Sequence, residues 1–246
     1  VRIEDDAPVL NDIVETVQAK TTFYANVMIG LDISSSMSDP SGIGGLSRLE
    51  VAKQSITTLL DNYQARLDAA VAGGGEGEVK VYLSTFNYEG RGASGWVSID
   101  EARGLLDAFT AKGGTNYDAG IEELMGAFNA ANAPEAVQHA AVQNVSYFLT
   151  DGAPTLSNAF PNGNQNPGLS VNPELGDGIA PVDHADPNLG RTYDPTQGKG
   201  ATEVSEQDWI DFLSAHGITS YAIGMGPDIV TDVPDPLTYL NPIAYD

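Results

Sequence analysis

The sequence contains no cysteine in its 246 residues. This absence excludes disulfide bonds, zinc sites built on thiolates and a cysteine nucleophile. Basic residues are also scarce, because 11 Lys and Arg stand against 34 Asp and Glu and give a formal net charge of -23. A charge of that sign repels phosphate backbones and anionic lipid surfaces. We therefore expect no nucleic-acid partner.

Long apolar runs are missing as well. No stretch approaches the ~18 consecutive apolar residues of a membrane-spanning helix, so we expect no direct membrane insertion. The chain begins with VRIEDDAPVLND, which has neither an initiator Met nor the charged-then-apolar pattern of a signal peptide, and we interpret it as a piece of a longer protein. A hydrophobic content of 41% suits one sizeable domain. We expect a linker at residues 1–23 and the domain at residues 24–246.

Segments that resemble buried strands alternate along the chain with segments of helical spacing. Apolar runs predict strands at ANVMIGLDI, VKVYLSTF, NVSYFLT and ITSYAIGM, and SGWVSI predicts a short edge strand. Recurring apolar positions predict helices over residues 48–72, 100–109, 117–128 and 203–215. The alternation indicates an α/β domain with a mostly parallel central sheet.

One segment interrupts this alternation, at about residues 153–202. It holds seven of the fourteen prolines and many Gly and Asn, and it is too long for an ordinary connection inside a compact domain. It is either a functional insertion or a disordered loop. Its acidic side chains could help to bind calcium, but their spacing matches no calcium-binding loop and favours simple solvation. These side chains are Glu174, Asp177, Asp183, Asp186 and Asp194.

Hydroxyl groups crowd behind the first predicted strand, where Ser34 and Ser36 follow Asp32. Ligands bind at the carboxyl ends of strands in open α/β sheets. If the chain stays extended into the turn, residues two apart point the same way and present three oxygens together. Oxygen ligands without sulfur or imidazole favour a hard divalent cation such as Mg²⁺, Mn²⁺ or Ca²⁺. The alternative is a serine-rich loop that caps the next helix.

Two further segments carry polar residues at comparable places. KGGTNYDAGI puts Thr115 in a Gly-rich turn before a helix, and YFLTDGAPT puts Asp151 at the end of an apolar strand. Taken singly, Thr115 or Asn116 could be a helix N-cap and Asp151 a turn residue. Together with the Asp-x-Ser-x-Ser segment, in this order, they resemble the von Willebrand factor A (vWA) domain and its metal-ion-dependent adhesion site.

The resemblance covers about residues 24–226 and implies a fold, a site and a function. It implies a Rossmann-like vWA fold with one short antiparallel edge strand and helices on both faces of the sheet. It also implies that a divalent cation binds through the serines and sometimes the threonine, with the aspartates often acting through water. A cation held largely by neutral hydroxyls keeps an exchangeable position for a partner's carboxylate. The implied metal ligands are Asp32, Ser34, Ser36, Thr115 and Asp151.

A second resemblance concerns the surroundings of the domain. VRIEDDAPVLND is similar to the joint after an Ig-like repeat in large bacterial RTX adhesins, which type I systems secrete. This resemblance implies an extracellular location on a bacterial cell surface, neighbouring domains in the same long chain, and a protein or glycan ligand on a cell or surface. We therefore interpret the chain as an adhesion module.

Two other functions stay open at this stage. The first is a calcium-stabilised structural spacer domain of the adhesin. The second is a magnesium-dependent phosphatase of the haloacid dehalogenase type, since Asp32 ends the first strand, although that chemistry uses Asp-x-Asp and here Ser34 stands at the second position. The sequence has no G-x-S-x-G, HExxH or P-loop segment, and we expect no enzymatic activity.

Overall fold

The computed structural model describes residues 20–152, 154, 206–226 and 240–245. The five strands of this part of the chain are β1 (Phe23–Asp32), β2 (Gly77–Phe86), β3 (Gly90–Val97), β4 (Gln143–Thr150) and β5 (Ile218–Gly224). Its α-helices are α1 (Arg48–Ala72), α2 (Ile99–Leu106), α3 (Tyr117–Met125) and α4 (Glu206–His216). Short 3₁₀ helices lie at Ser35–Ser38, Gly126–Phe128, Ala133–Glu135 and Asn241–Ile243.

The strands form one sheet in the order β3-β2-β1-β4-β5. β1 pairs in parallel with both β2 and β4, and β4 pairs in parallel with β5. β3 is an edge strand and runs antiparallel to β2. The predicted fold class is confirmed: a mostly parallel sheet with one antiparallel edge strand.

Two hydrophobic cores cover the two faces of the sheet. On β1, Ala25, Val27, Ile29 and Leu31 point to the core that contains apolar residues of α1 and α2. Met28 points to the opposite core, to which α3 and α4 contribute. β1 is therefore buried on both faces, which explains its nearly continuous apolar sequence.

Capping boxes set the starts of two helices. α1 begins at Arg48, as predicted, because Ser47 and Glu50 form a capping box. Ser98 and Glu101 form a second one, so the edge strand ends at Val97 rather than at Ile99. That strand also begins earlier than predicted, at Gly90.

α2 and α3 end earlier than their predicted spans. α2 ends at Leu106 rather than at residue 109. α3 ends at Met125 and continues as a 3₁₀ turn to Phe128. The predicted start of the last helix at residues 203–205, most of the linker at residues 1–23 and nearly all of the insertion lie outside the described residues. No helix within the described ranges is long and apolar enough to span a membrane.

Candidate metal site

The two aspartates of the predicted site lie at the same edge of the sheet. Asp32 is the last residue of β1, and Asp151 directly follows the last residue of β4. Because β1 and β4 are parallel neighbours, their carboxyl ends coincide. Both side chains are buried, with residue exposures of 0% and 1%.

Ser34 and Ser36 link the two carboxyl groups through a continuous chain of contacts. The Ser34 amide donates a hydrogen bond of 2.7 Å to Oδ1 of Asp32. The Ser34 and Ser36 hydroxyl oxygens are 3.1 Å apart, and the Ser36 hydroxyl donates to Oδ1 of Asp151 at 2.9 Å. The structure thus brings four of the five predicted residues together.

The backbone that aligns the serines is not the extended chain that the sequence suggested. Ser34 is extended, with φ -61° and ψ 166°, but Ser35–Ser38 is a 3₁₀ helix. The Met37 amide donates to the Ser34 carbonyl at 3.1 Å, and the Met37 side chain is fully buried in the core. A buried anchor and a tight turn therefore bring Ser36 back toward Asp151.

Thr115 lies in a loop that is hydrogen-bonded to the serine segment. The Ser35 amide donates to the Gly113 carbonyl at 2.9 Å, and the Lys112 amide donates to the Ile33 carbonyl at 2.7 Å. Thr115 is buried, with an exposure of 4%. The N-cap of α3 is its neighbour Asn116, which accepts from the Ala119 amide. The capping alternative therefore applies to Asn116 rather than to Thr115.

Gly113 lets this loop pass close to the end of β2. Its φ of +88° is in the left-handed region, and a Cβ there would meet the ring of Tyr88 at 2.8 Å. Asn87, the residue after β2, holds the same loop, because its Nδ2 donates to the Lys112 carbonyl at 3.1 Å. The Gly-rich sequence before Thr115 is thus needed for the loop to reach the serine segment.

Two site residues were missed by the sequence analysis. Arg48, the first residue of α1, is 5% exposed and donates from Nη1 to Oδ2 of Asp151 at 2.9 Å. The Thr150 hydroxyl donates to Oδ2 of Asp32 at 2.6 Å. The sequence did point to Thr150, because it directly precedes Asp151 in the segment YFLTDGAPT. The sequence carried no signal for Arg48, because an arginine at a helix start resembles any surface charge.

Burial dominates the electrostatics of the two carboxyl groups. It raises the pKa of Asp32 to about 7, with a further contribution from the charge of Asp151, and hydrogen bonds from Thr150 and Ser34 act in the opposite direction. Burial also raises the pKa of Asp151, against the lowering effect of Arg48 and Ser36. Without a cation, the site therefore disfavours the two negative charges that it brings together.

The donor set fits a small hard cation. Its oxygens come from carboxylates and hydroxyls, which are the ligands of Mg²⁺, Mn²⁺ and Ca²⁺. The Ser36 hydroxyl oxygen lies 3.1 Å from the Ser34 hydroxyl oxygen and 2.9 Å from Oδ1 of Asp151, and both are hydrogen-bond distances. Mg²⁺ takes octahedral oxygen ligands at ~2.1 Å, and Ca²⁺ takes about six to eight at ~2.4 Å in a more flexible geometry, so both ions suit this donor set. In the described part of the chain, no group of three or more His, Asp and Glu is placed to hold a metal ion.

The fold matches solved structures of bacterial pilus proteins. The vWF domain of the type V pili tip protein Mfa5 from Porphyromonas gingivalis is 17% identical, with a TM-score of 0.55 over 92% of this chain and 88% of that one. A structure of three N-terminal domains of Mfa5 is 16% identical, with a TM-score of 0.56 over 91% of this chain and 46% of that one. The PilB minor pilin from Streptococcus sanguinis is 18% identical, with a TM-score of 0.52 over 92% and 55%.

These likenesses define the class of fold. The chain has a vWA-like α/β fold, as the sequence motifs implied. It spans 46% and 55% of the length of the two longer pilus structures. No protein-family model matches the chain, and no curated protein matches it.

Proposed function

We propose that this domain is a metal-ion-dependent adhesion module of a bacterial surface protein. It binds one divalent cation through Asp32, Ser34, Ser36, Thr115 and Asp151, and it holds a protein or glycan partner through that cation. The observation that carries the proposal is the chain of contacts from Asp32 through Ser34 and Ser36 to Asp151. This chain places two carboxylates and two hydroxyls at the ligand-binding edge of a parallel sheet.

The proposal assigns the residues different tasks. The hydroxyls of Ser34, Ser36 and Thr115 are neutral ligands, and Asp32 and Asp151 supply the negative charge that attracts the cation. Because burial opposes those two charges, a bound cation would relieve an unfavourable charge pair. Mg²⁺, Ca²⁺ and Mn²⁺ all suit a site of carboxylate and hydroxyl oxygens.

The proposed setting is a multidomain protein outside a bacterial cell. Solved structures with a similar fold include a pilus tip protein and a minor pilin, and the vWA-like region is only part of the longer ones. An origin in an RTX adhesin secreted by a type I system is a further proposal. It depends on the first twelve residues, which lie outside the described part of the chain.

Removal of divalent cations is expected to destabilise the domain. A ligand that binds only the folded state stabilises it by about 2.7 kcal/mol at a hundredfold excess over its dissociation constant. For a domain of this size, that corresponds to a rise in the melting temperature of roughly 5–11 °C. Calorimetric melting in chelator, in Mg²⁺ and in Ca²⁺ measures the effect.

A control for this experiment separates the site from the general acidity of the chain. The net charge of -23 attracts any divalent cation weakly, and this nonspecific part is screened by salt. We expect the shift to persist in 0.3 M NaCl and to disappear in an Asp32→Asn variant. An equal rise of the melting temperature in Asp32→Asn would contradict cation binding at the proposed site. A melting temperature that chelator leaves unchanged in the wild type would contradict both the site and the nonspecific attraction of cations by the net charge.

Attachment to a partner is expected to require the cation and the hydroxyl ligands together. The measurement is binding of the isolated domain to arrays of immobilised extracellular proteins and glycans, with Mg²⁺ or with chelator. Thr115→Ala removes one hydroxyl and keeps Asn116, the cap of α3. We expect wild-type binding to be lost in chelator and to fall at least about tenfold in the variant, the loss of one charge-assisted contact.

The outcome of that experiment also decides between the alternatives. Binding that persists in chelator and in the folded Thr115→Ala variant would indicate that the ion is structural, and a cation-stabilised domain that binds nothing on the arrays would indicate the spacer function. For the phosphatase, the test is phosphate release from a generic ester, abolished in Asp32→Asn. Against this activity, both oxygens of Asp32 already accept hydrogen bonds, from the Ser34 amide and the Thr150 hydroxyl, and the residue is fully buried.

A further inference from the structure

We infer that residues 8–19 dock on the face of β4 and β5 that lies beside α1, so that they belong to the domain and not to a linker before it. These residues lie outside the described part of the chain, and the inference rests on the surface they would cover and on their own sequence. It goes beyond the proposed function and does not depend on it, because the surface is a face of the sheet and the metal site is at its carboxyl edge.

The docking surface is the open end of a row of aromatic side chains. Phe23, at the start of β1, stacks on Tyr63 of α1 with ring centroids 6.2 Å apart. The Tyr63 hydroxyl oxygen lies 3.2 Å from the hydroxyl oxygen of Tyr147 on β4. The Tyr147 ring stacks in turn on Tyr221 of β5 at 5.4 Å. The row therefore runs from the first residue of β1, past α1, to the edge of the sheet that β5 forms in the described part of the chain.

This row is buried at one end and open at the other. Phe23 and Tyr63 are buried, whereas Tyr221 is 49% exposed. Ile223, two residues further along the same face of β5, is 37% exposed. The opposite face of β5 is closed, because Ile218 is buried in the core to which α4 contributes. Strands of a parallel sheet are usually covered on both faces, so burial of this open face would be favourable.

The sequence before β1 carries an apolar stripe that matches such a surface. Asn11 and Glu15 are each two positions from Ile13, which places them about 200° away from it on a helix. Pro8 stands just before the stripe, and proline is favoured in the first turn of a helix. The stripe is about 140° wide, as in a helix that buries one face against a domain. Its members are Val9, Leu10, Ile13, Val14 and Val17.

The position of this segment in the chain puts the docking surface within its reach. It leads directly to Phe23, the buried end of the aromatic row. β5 lies two strands from β1, which is ~10 Å across the sheet. A helix of residues 8–19 would be ~18 Å long and could span that distance. Residues 227–239 also adjoin β5, but they lead to Leu240, which is buried in the core on the opposite face.

The absence of native cysteine allows a direct test by thiol labelling of the full chain. Ile223→Cys places a single thiol on the docking surface, and Ile43→Cys places one at a site that is 59% exposed. If residues 8–19 cover the surface, we expect a maleimide to modify Ile223→Cys at least about tenfold more slowly than Ile43→Cys. Equal rates would overturn the inference.

A second substitution identifies the occupant. Ile13→Asp puts a charge in the middle of the stripe, and we expect it to raise the labelling rate of Ile223→Cys by about tenfold. The matched control is Asn11→Asp, which adds the same charge on the other side of the stripe and should leave the rate within about twofold. Circular dichroism confirms that each variant is folded. Ile13→Ala replaces Ile13→Asp, and Thr219→Cys replaces Ile223→Cys, if the first choice does not fold.

The remaining outcomes assign the surface to something else and overturn the inference. Protection that persists in folded Ile13→Asp would mean that another part of the chain covers the surface. Protection that weakens on dilution of the protein would indicate a second copy of the chain. An equal rise in the rate in Ile13→Asp and Asn11→Asp would indicate a general effect of charge. Cation binding is not measured in these experiments, so their failure would leave the proposed function untouched.

Discussion

Asparagine in place of Asp32 is expected to lower the affinity for a divalent cation by about a hundredfold or more, equivalent to about 2.7 kcal/mol. The substitution removes one of the two buried negative charges of the site, and a charge close to a divalent cation in a low-dielectric environment contributes strongly. Asparagine has the same shape and can still accept from the Ser34 amide through its Oδ1. Isothermal titration calorimetry with Mg²⁺ and Mn²⁺ measures the loss.

The matched control for this substitution is Asp107→Ala. Asp107 is an exposed carboxylate just after α2, so its removal changes the net charge of the protein by the same amount. We expect Asp107→Ala to bind cations like the wild type. Equal cation binding in the wild type and in Asp32→Asn would contradict the assignment of the site.

Alanine in place of Phe148 is expected to lower the free energy of unfolding by about 3–5 kcal/mol. Phe148 is on β4 and is fully buried. Its ring stacks on Phe86 at 4.6 Å and meets Tyr117 edge-on at 5.1 Å, so truncation removes aromatic contacts and leaves a cavity in the core under α3. Urea unfolding followed by circular dichroism measures the change.

Phe148 is also connected to the metal site through Tyr117, on which its ring packs. The Tyr117 hydroxyl donates to the carbonyl of Gly152, the residue after Asp151, at 2.6 Å. We expect the cost in Phe148→Ala to appear with chelator as well as with Mg²⁺, because it arises in the core. Ile43→Ala serves as control: Ile43 is 59% exposed, and its truncation should change stability by less than about 0.5 kcal/mol. A cost below about 1 kcal/mol in Phe148→Ala would contradict the packing described for this core.

The elements of the fold could be predicted because their signals are local. β1 is buried on both faces and α1 carries a continuous apolar stripe, so periodicity alone located both, and α1 at its observed ends. The edge strand was placed less well. GRGASGWV has few apolar residues, and its start at Gly90 depends on pairing with Phe86 of β2 rather than on its own sequence.

The sequence alone therefore determined the alternation of strands and helices, the acidic and cysteine-free composition, and the order of the motif residues along the chain. The tertiary structure decided which atoms meet. Pairing of β1 with β4 brings Asp32 beside Asp151, a 3₁₀ turn anchored by Met37 directs Ser36 to that carboxylate, and the start of α1 adds Arg48 to it. Sequence patterns report the side of an element that is buried, because burial follows the period of the backbone. Contacts across 103 and 115 positions of the chain depend instead on strand order and packing, which no local pattern contains.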